Sequence, residues 1–302
     1  MDILNSDTDR ALGFAIPGRS ARGRLVRLGP TLDRVLRAHA YPAPIERLLA
    51  EALTLTALIG STLKDEGAQL TVQTRAEAGV VRLLACDYRD GEVRGYIDFD
   101  TDALAAAPAE PIARDLFDGA GWLAITFDLA ATGERYQGIV PLDGESLADA
   151  AQSYFIQSEQ IPTLVRLGVA KDADGRCVAG GMLLQHLPEG EIGRERLHVR
   201  LDHPEWDHVA ALGQTVEAEE LADPQLPLET LLWRLFNEDE VRLLGDIVVT
   251  RGCRCDGEYI ASVIAKFSVE DRAEMADADG MIQVDCHFCA QKFRVSADSV
   301  AA

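Results

Sequence analysis

Two closely spaced cysteine pairs near the end of the chain constrain its folding more than any other feature. RGCRCDG carries Cys253 and Cys255, VDCHFCAQKF carries Cys286 and Cys289, and thirty residues separate the pairs. Only two other cysteines, Cys86 and Cys177, occur among the 302 residues, so chance is a poor explanation of the cluster. Two sulfurs from each of two short loops are what a tetrahedral zinc site requires, provided the chain between them brings the pairs together. EYIASVIAKF repeats Ile260, Val263, Ile264 and Phe267 on one helical face. Ser268 followed by Asp271 fits a capping box for a second short helix, with Asp in place of the usual Glu or Gln. Asp279 and Gly280 form a turn signal, MIQV reads as a strand into Cys286, and residues 292–295 read as the returning strand. A unit this small buries little apolar surface, so a metal would supply much of its folding free energy.

The competing readings of these cysteines are weaker. The start of the chain, MDILNSDTDR, has no basic region followed by an apolar stretch, so no secretory signal is read there. A cytoplasmic location is expected, where structural disulfides are rare. A thioredoxin-like C-x-x-C should open a helix after a strand, whereas His287 and Phe288 lead into another strand-like segment. His287 would have to displace a neighbouring cysteine to bind metal, and it is read as a surface residue or a support to the ligands. Cys86 and Cys177 sit in strand-like segments and read as small core residues. The C-x-C spacing is unusual. A disulfide closing so small a ring is strained and easily reduced, which suits a switch better than a staple. Zinc keeps thiols deprotonated and ready for oxidants. Oxidation would then remove the ligands and, with them, the fold that depends on the ion.

The rest of the chain reads as α+β in two further parts. Residues 1–190 form a mixed sheet-and-helix core: a helix over 43–63 introduced by Pro42 and Pro44, then strands at 69–74, 80–86, 93–99, 122–129 and 136–142. A helix fits 146–158, and two strands flank the turn KDADGR. Tyr154, Ser158 and Glu159 lie close together, but read as a helix end before Pro162 rather than a catalytic set. Gly180 and Gly181, inside a strand pattern, mark a bulge or a close backbone approach. LPEGEIGRERLHVRLDHPEW is loop-like, and a helical, acidic linker region spans 191–250, its helical character running to about 246. Within 202–246 twelve Asp and Glu face two Arg, a net charge of −10. Leu231, Leu232, Trp233, Leu235 and Phe236 are its apolar anchors, expected to bury against the terminal unit at 251–302.

Charge and motifs exclude several function classes. The net charge of −21 repels nucleic acid. The basic stretch GRSARGRLVR at 18–27 reads as a solvated surface strand or loop. A nucleic-acid-binding ribbon would need a basic terminal unit, and 251–302 has six Lys and Arg against nine Asp and Glu. No P-loop pattern is present, and no apolar run is long enough to suggest a membrane helix. An enzyme using the C-x-x-C as a thiol–disulfide oxidoreductase is the alternative from another class.

With the cysteine pattern in view, the chain resembles the heat shock protein 33 family of redox-regulated chaperones. Cys253, Cys255, Cys286 and Cys289 match the family's C-x-C and C-x-x-C one for one. YPAPIERLLAEAL, GERYQGIV, SYFIQSEQIPT, AGGMLLQ and LLWRLFNEDEV resemble family segments in the family's order, so the likeness covers nearly the whole chain. It implies an N-terminal α+β core, a helical linker and a C-terminal zinc domain. It also implies an ATP-independent holdase that binds unfolding proteins when peroxide or hypochlorous acid coincides with unfolding conditions. Activation would join Cys253 to Cys255 and Cys286 to Cys289, release zinc, unfold the linker and favour a homodimer. Ala290 departs from the pattern, standing where many members carry Gly.

Overall fold

The computed structural model describes residues 7–119, 121–142, 144–187 and 204–297. The strands of the larger part are β1 (Arg10–Ile16), β2 (Ala21–Leu28), β3 (Gln69–Arg75), β4 (Val81–Arg89), β5 (Glu92–Phe99), β6 (Trp122–Asp128), β7 (Arg135–Pro141), β8 (Thr163–Lys171), β9 (Cys177–His186), β10 (Arg242–Val248) and β11 (Thr250–Arg251). Its helices are α1 (Pro30–Leu36), α2 (Ala43–Gly60), α3 (Thr101–Ala106), α4 (Ala113–Leu116), α5 (Leu147–Tyr154), α6 (Pro204–Gln214), α7 (Ala218–Ala222) and α8 (Leu228–Phe236). The terminal part contributes α9 (Gly257–Ile264), α10 (Val269–Met275), β12 (Met281–Asp285) and β13 (Lys292–Ser296). The chain divides into two compact units, Met1–Arg251 and Gly252–Ala302.

Helix α2 lies at the centre of the first unit because its sequence beyond Glu51 carries no charge and is buried on every side. Ile45, Leu48, Leu49, Leu53, Leu55, Leu58 and Ile59 are all buried, and a helix of that kind is stable only when enclosed. Its interior threonines return their hydroxyls to the helix: Thr54 donates to the Ala50 carbonyl at 2.8 Å and Thr56 to the Ala52 carbonyl at 2.7 Å. On one side α2 packs against β2, β8 and β9, and on the other against β3, β4 and β5. Those strands belong to two separate sheets. The five-stranded sheet runs β10-β1-β2-β9-β8 and the six-stranded sheet β11-β5-β4-β3-β6-β7. Antiparallel pairing holds throughout the first sheet, and β11 joins the second in parallel with β5.

The five-stranded sheet is apolar on both faces, as period-2 alternation allows. Ala11, Val26, Leu28, Ala179 and Leu183 face the core built on α2. Leu12, Phe14, Ile16, Leu25, Met182 and Leu184 belong to a second core, together with residues of α6 to α8. The acidic segment therefore covers an apolar sheet face. Its anchors Leu231, Leu232, Leu235 and Phe236 bury against β1, β2, β8 and β9, not against the terminal unit as the sequence reading had it. Trp233, counted among them, is 66% exposed; it lies on the opposite side of α8.

Two further expectations are corrected. The helices of the acidic region end at Phe236, and Arg242–Val248 is a strand paired with β1, its register shifting between Gly13 and Phe14. Ile247 and Val248 favour extended backbone, and the edge of β1 offers hydrogen-bond partners that a helix there would forgo. The basic stretch is not a solvated strand: Arg27 is fully buried, and Arg19 pairs with Glu205 at 2.6 Å and Asp239 at 2.8 Å. Arg19 and Arg27 thus meet the segment 204–239, whereas Arg22 reaches Gln185 and Arg24 the Ser61 carbonyl. The loop reading at 188–203 lies outside the described residues.

The helix expected over 146–158 is α helical to Tyr154 and continues as one π turn over Phe155–Glu159, closed by Gln160 with φ +57°. The Tyr154 hydroxyl donates to Glu159 Oε1 at 2.9 Å, so the polar pair is satisfied internally. Among the described residues no helix is long and apolar enough to cross a membrane.

Candidate metal centre

Each cysteine pair is positioned by the local structure around it. Cys253 and Cys255 lie in the stretch between β11 and α9, whose start is capped by Asp256 accepting from the Tyr259 N–H. Cys286 and Cys289 sit in the turn between β12 and β13. The Cys286 carbonyl accepts from the N–H of Cys289 at 3.3 Å and of Ala290 at 2.8 Å, and the Cys286 N–H donates to Gln291 at 2.9 Å. That tight knuckle turns both sulfurs to one side. Ala290 completes it at φ +57°, the left-handed conformation that glycine adopts without steric cost and alanine does not.

The four sulfurs meet. Cys253 Sγ lies 3.1 Å from Cys255 Sγ and 3.6 Å from Cys286 Sγ, and Cys255 Sγ lies 3.2 Å from Cys289 Sγ. All four lie within 4.8 Å of one another, and none is bonded to another. Four thiolates around a zinc ion at about 2.3 Å would stand about 3.8 Å apart. The donor set and spacing fit a tetrahedral metal ion, so these cysteines lie close enough to bind one. His287 is exposed and stands outside the cluster. The C-x-x-C occupies a hairpin turn, not the first turn of a helix, so it lacks the helix N-terminus that lowers a redox thiol's pKa.

The thiols are not equivalent. Burial works to raise Cys253, but hydrogen bonds from the Cys255 side chain and backbone, and from Cys289 and Cys286, outweigh it and bring the thiol down to about 7. Burial pushes Cys255 up, with the neighbouring sulfurs adding to it, and raises Cys289 as well. Thiols confined to so small a space shed their protons unequally. Cys86 and Cys177 are buried in the first unit, where burial pushes Cys86 far up and Cys177 to about 12.

Little else holds the terminal unit. Its buried apolar core is Ile260, Ile264, Ile282 and Val295. Ser268 caps α10 by accepting from the Asp271 N–H at 3.1 Å, and Arg294 pairs with Asp277 at 2.8 Å across exposed surface. Exposed ion pairs of that kind contribute about 0–1 kcal/mol.

Sequence reasoning missed one set of residues in the first unit. Arg27 donates from Nε to the Leu221 carbonyl at 2.8 Å, from Nη1 to Leu226 at 2.6 Å and from Nη2 to Glu220 at 3.0 Å. The glycine signal at 180 did point to a close approach, and Leu221 is the backbone that lies there.

Comparison with known proteins places the whole arrangement. The 33 kDa chaperonin of Caulobacter vibrioides is 42% identical over 294 residues, spanning 95% of this chain and 94% of that protein. The 33 kDa chaperonin of Pseudomonas fluorescens is 36% identical over 296 residues, spanning 98% and 93%. The crystal structure of the 33 kDa chaperonin from Thermotoga maritima shares the fold with a TM-score of 0.76, covering 97% of this chain and 96% of that one at 21% identity. The sequence model of the family described as Hsp33 protein matches residues 9–296. With its two sheets around α2, its acidic helical cover and its four clustered cysteines, this chain belongs to the Hsp33 family.

Proposed function

We propose that the chain is a redox-controlled, ATP-independent chaperone of the cytoplasm, which binds unfolding proteins after oxidation of its terminal cysteines. One observation carries the reading: four thiols converge in a unit with four buried apolar side chains, and that unit follows in sequence the segment covering an apolar sheet face. In functional terms the chain has a core at 1–190, a linker at 191–250 and a zinc-binding switch at 251–302. Cys253, Cys255, Cys286 and Cys289 are the residues that would hold zinc. Bound zinc would keep the sulfurs as thiolates and tie the two loops together.

Oxidation acts on the cysteines themselves. In each pair, Cys253 with Cys255 and Cys286 with Cys289, two thiolates give two electrons to one hydrogen peroxide. A sulfur–sulfur bond forms, the oxygen–oxygen bond breaks, and two protons complete two waters. The ligand set is then consumed, and four buried apolar side chains are too few to keep the unit folded. Through the covalent connection, the linker loses a folded neighbour at its C-terminal end. Ordering its backbone costs about 1–2 kcal/mol per residue, and its net charge of −10 over 202–246 opposes compaction. Release would expose Leu12, Phe14, Leu25, Met182 and Leu184 on the sheet and Leu231, Leu232 and Phe236 on the linker. Those faces suit apolar segments of unfolding clients, and the acidic residues would keep the complex dispersed. A homodimer is the expected active form, and neither nucleic acid nor a membrane is an expected partner.

The test is zinc content and thiol count before and after peroxide, with light scattering from thermally unfolding malate dehydrogenase. The reduced protein should hold one zinc and six thiols. Oxidation should leave only Cys86 and Cys177 free, expel the zinc and switch on suppression of aggregation. An oxidised sample that keeps its zinc while suppressing aggregation contradicts the reading. Catalytic turnover of a disulfide substrate by the metal-free protein would favour an oxidoreductase.

A further inference from the structure

Helix α7 rests on the sheet in an unusual way, by its backbone. Gly180 of β9 pairs with Gly168 of β8, and on its other side with Arg27 of β2. The three form a row running across the strands. A Cβ built on Gly168 would collide with the carbonyl of Ala218, and one on Gly180 with the carbonyl of Leu221. Both carbonyls belong to α7, so only glycines let that turn lie flat on the strands. At the end of the row stands Arg27, with no exposed surface.

The guanidinium is matched to what lies above it. Its donors reach the carbonyls of Glu220, Leu221 and Leu226. The first two lie at the C-terminal end of α7, where carbonyls have no partner within the helix and carry partial negative charge. The fork geometry of arginine serves three divergent acceptors at once, which a lysine ammonium on a flexible stem does less well. Asp7 stands 3.4 Å from the same guanidinium and accepts from the Leu228 N–H, the first residue of α8, at 2.8 Å. Next to it, Arg10 reaches Asp7, Glu229 and Asp246. The polar contacts thus tie α7, α8 and β10 to strands β1 and β2.

We propose that Arg27, aligned with Gly180 and Gly168, is the positioning residue that pins the acidic helical segment to the sheet and sets how readily that segment is released. This rests on the chaperone reading above and specifies its regulation. The hydrophobic contacts of α6 and α8 supply area, but they are non-directional. The Arg27 contacts are directional, because a displaced α7 strips the acceptors from Nε and Nη2 of a buried charge and leaves those donors unpaired unless water enters. Water entry is the opening event, and it begins at this row.

The experiment uses the full-length, reduced, zinc-loaded protein and its Arg27→Met, Arg27→Lys and Gly168→Ala variants. Amide hydrogen exchange reads protection in 204–236 separately from α2 and the six-stranded sheet. Zinc content and thiol count are taken alongside, together with aggregation of thermally unfolding malate dehydrogenase without oxidant. Arg27→Met should lower protection in 204–236 by tenfold or more, leave α2 and the six-stranded sheet unchanged, keep its zinc, and suppress aggregation while reduced. Arg27→Lys should fall between Met and wild type. Gly168→Ala, which leaves every charge in place, should also release the segment, since its methyl meets α7 backbone. Unchanged protection of 204–236 in Arg27→Met overturns the proposal; if Arg27→Met instead loses protection across the whole first unit, Gly168→Ala decides, and its failure to release the segment selectively overturns the proposal. Oxidised wild type serves as the separate control: if it does not suppress aggregation, the chaperone reading fails, while the exchange data still judge the pin.

Discussion

Phe236→Ala tests the cover over the sheet most sharply. Phe236 is 1% exposed in the core shared by α8 and the five-stranded sheet, its ring 6.1 Å from that of Phe14. Truncating a buried phenylalanine costs about 3–5 kcal/mol, the lost transfer free energy plus the cavity left behind. Here the loss falls on the docking of 204–236, because Phe14, Leu25 and Met182 stay supported by the sheet when α8 leaves. At about 1.4 kcal/mol per factor of ten, the undocked population should rise roughly a hundredfold or more. Trp233 on the same helix is the control: it is 66% exposed, and Trp233→Ala should change stability by no more than about 0.5 kcal/mol. Hydrogen exchange under native conditions reads both, with protection in 204–236 falling strongly in the first variant and hardly in the second. Equal effects from the two variants, or full protection in Phe236→Ala, would refute the idea that burial against the sheet keeps the segment in place.

Three further outcomes follow from particular residues. Burial raises the half-buried Glu51 carboxyl from its ordinary 4.5 to about 7, with Arg47 offsetting only part of it. A carboxyl raised on folding contributes stability that is complete below pH 4.5 and is lost as pH climbs through 7. Relative to Glu51→Gln, wild type should therefore lose roughly 2–3 kcal/mol across that window in denaturant titrations, and parallel pH profiles would contradict the assignment. Ala290→Gly should relieve the left-handed strain at φ +57° by up to about 1 kcal/mol, seen as up to about fivefold tighter zinc retention against a chelator; weaker retention counts against it. In metal-stripped protein whose first unit stays folded, iodoacetamide should modify the four terminal cysteines and spare Cys86 and Cys177, whose thiols burial pushes up. Labelling of either core cysteine at a comparable rate would show that the first unit is open.

The sequence disclosed what is encoded locally. The apolar run that builds α2 and the strand runs of β3 to β6, bounded by turn residues, are legible over short windows, and the structure follows them within a few residues. The four cysteines were legible because metal ligands come in short, typed spacings. What stayed hidden depends on partners far along the chain. Arg27 was taken for a solvated charge because its carbonyl acceptors lie 193 to 199 residues away, and no local pattern marks an arginine whose charge is met by backbone carbonyls. Strand β10 pairs with β1 across more than 220 residues, so its acidic, helical surroundings dominated the reading. The anchors of α8 were recognised as apolar, but which surface they cover is a property of the sheet. Trp233 shows the remaining limit: composition says that a side chain is apolar, and only the phase of its helix says which way it faces.

The most direct test of the central claim removes the metal without oxidising anything. A strong chelator is applied to the reduced protein, and hydrogen exchange is followed separately in 252–297 and in the two sheets. The account predicts that the purified protein carries one zinc, that its removal abolishes protection throughout the terminal unit, and that α2 and the six-stranded sheet keep theirs. A metal-free protein whose β12–β13 hairpin and α9 remain as protected as before would contradict it, because the unit would then stand on its own four-residue core.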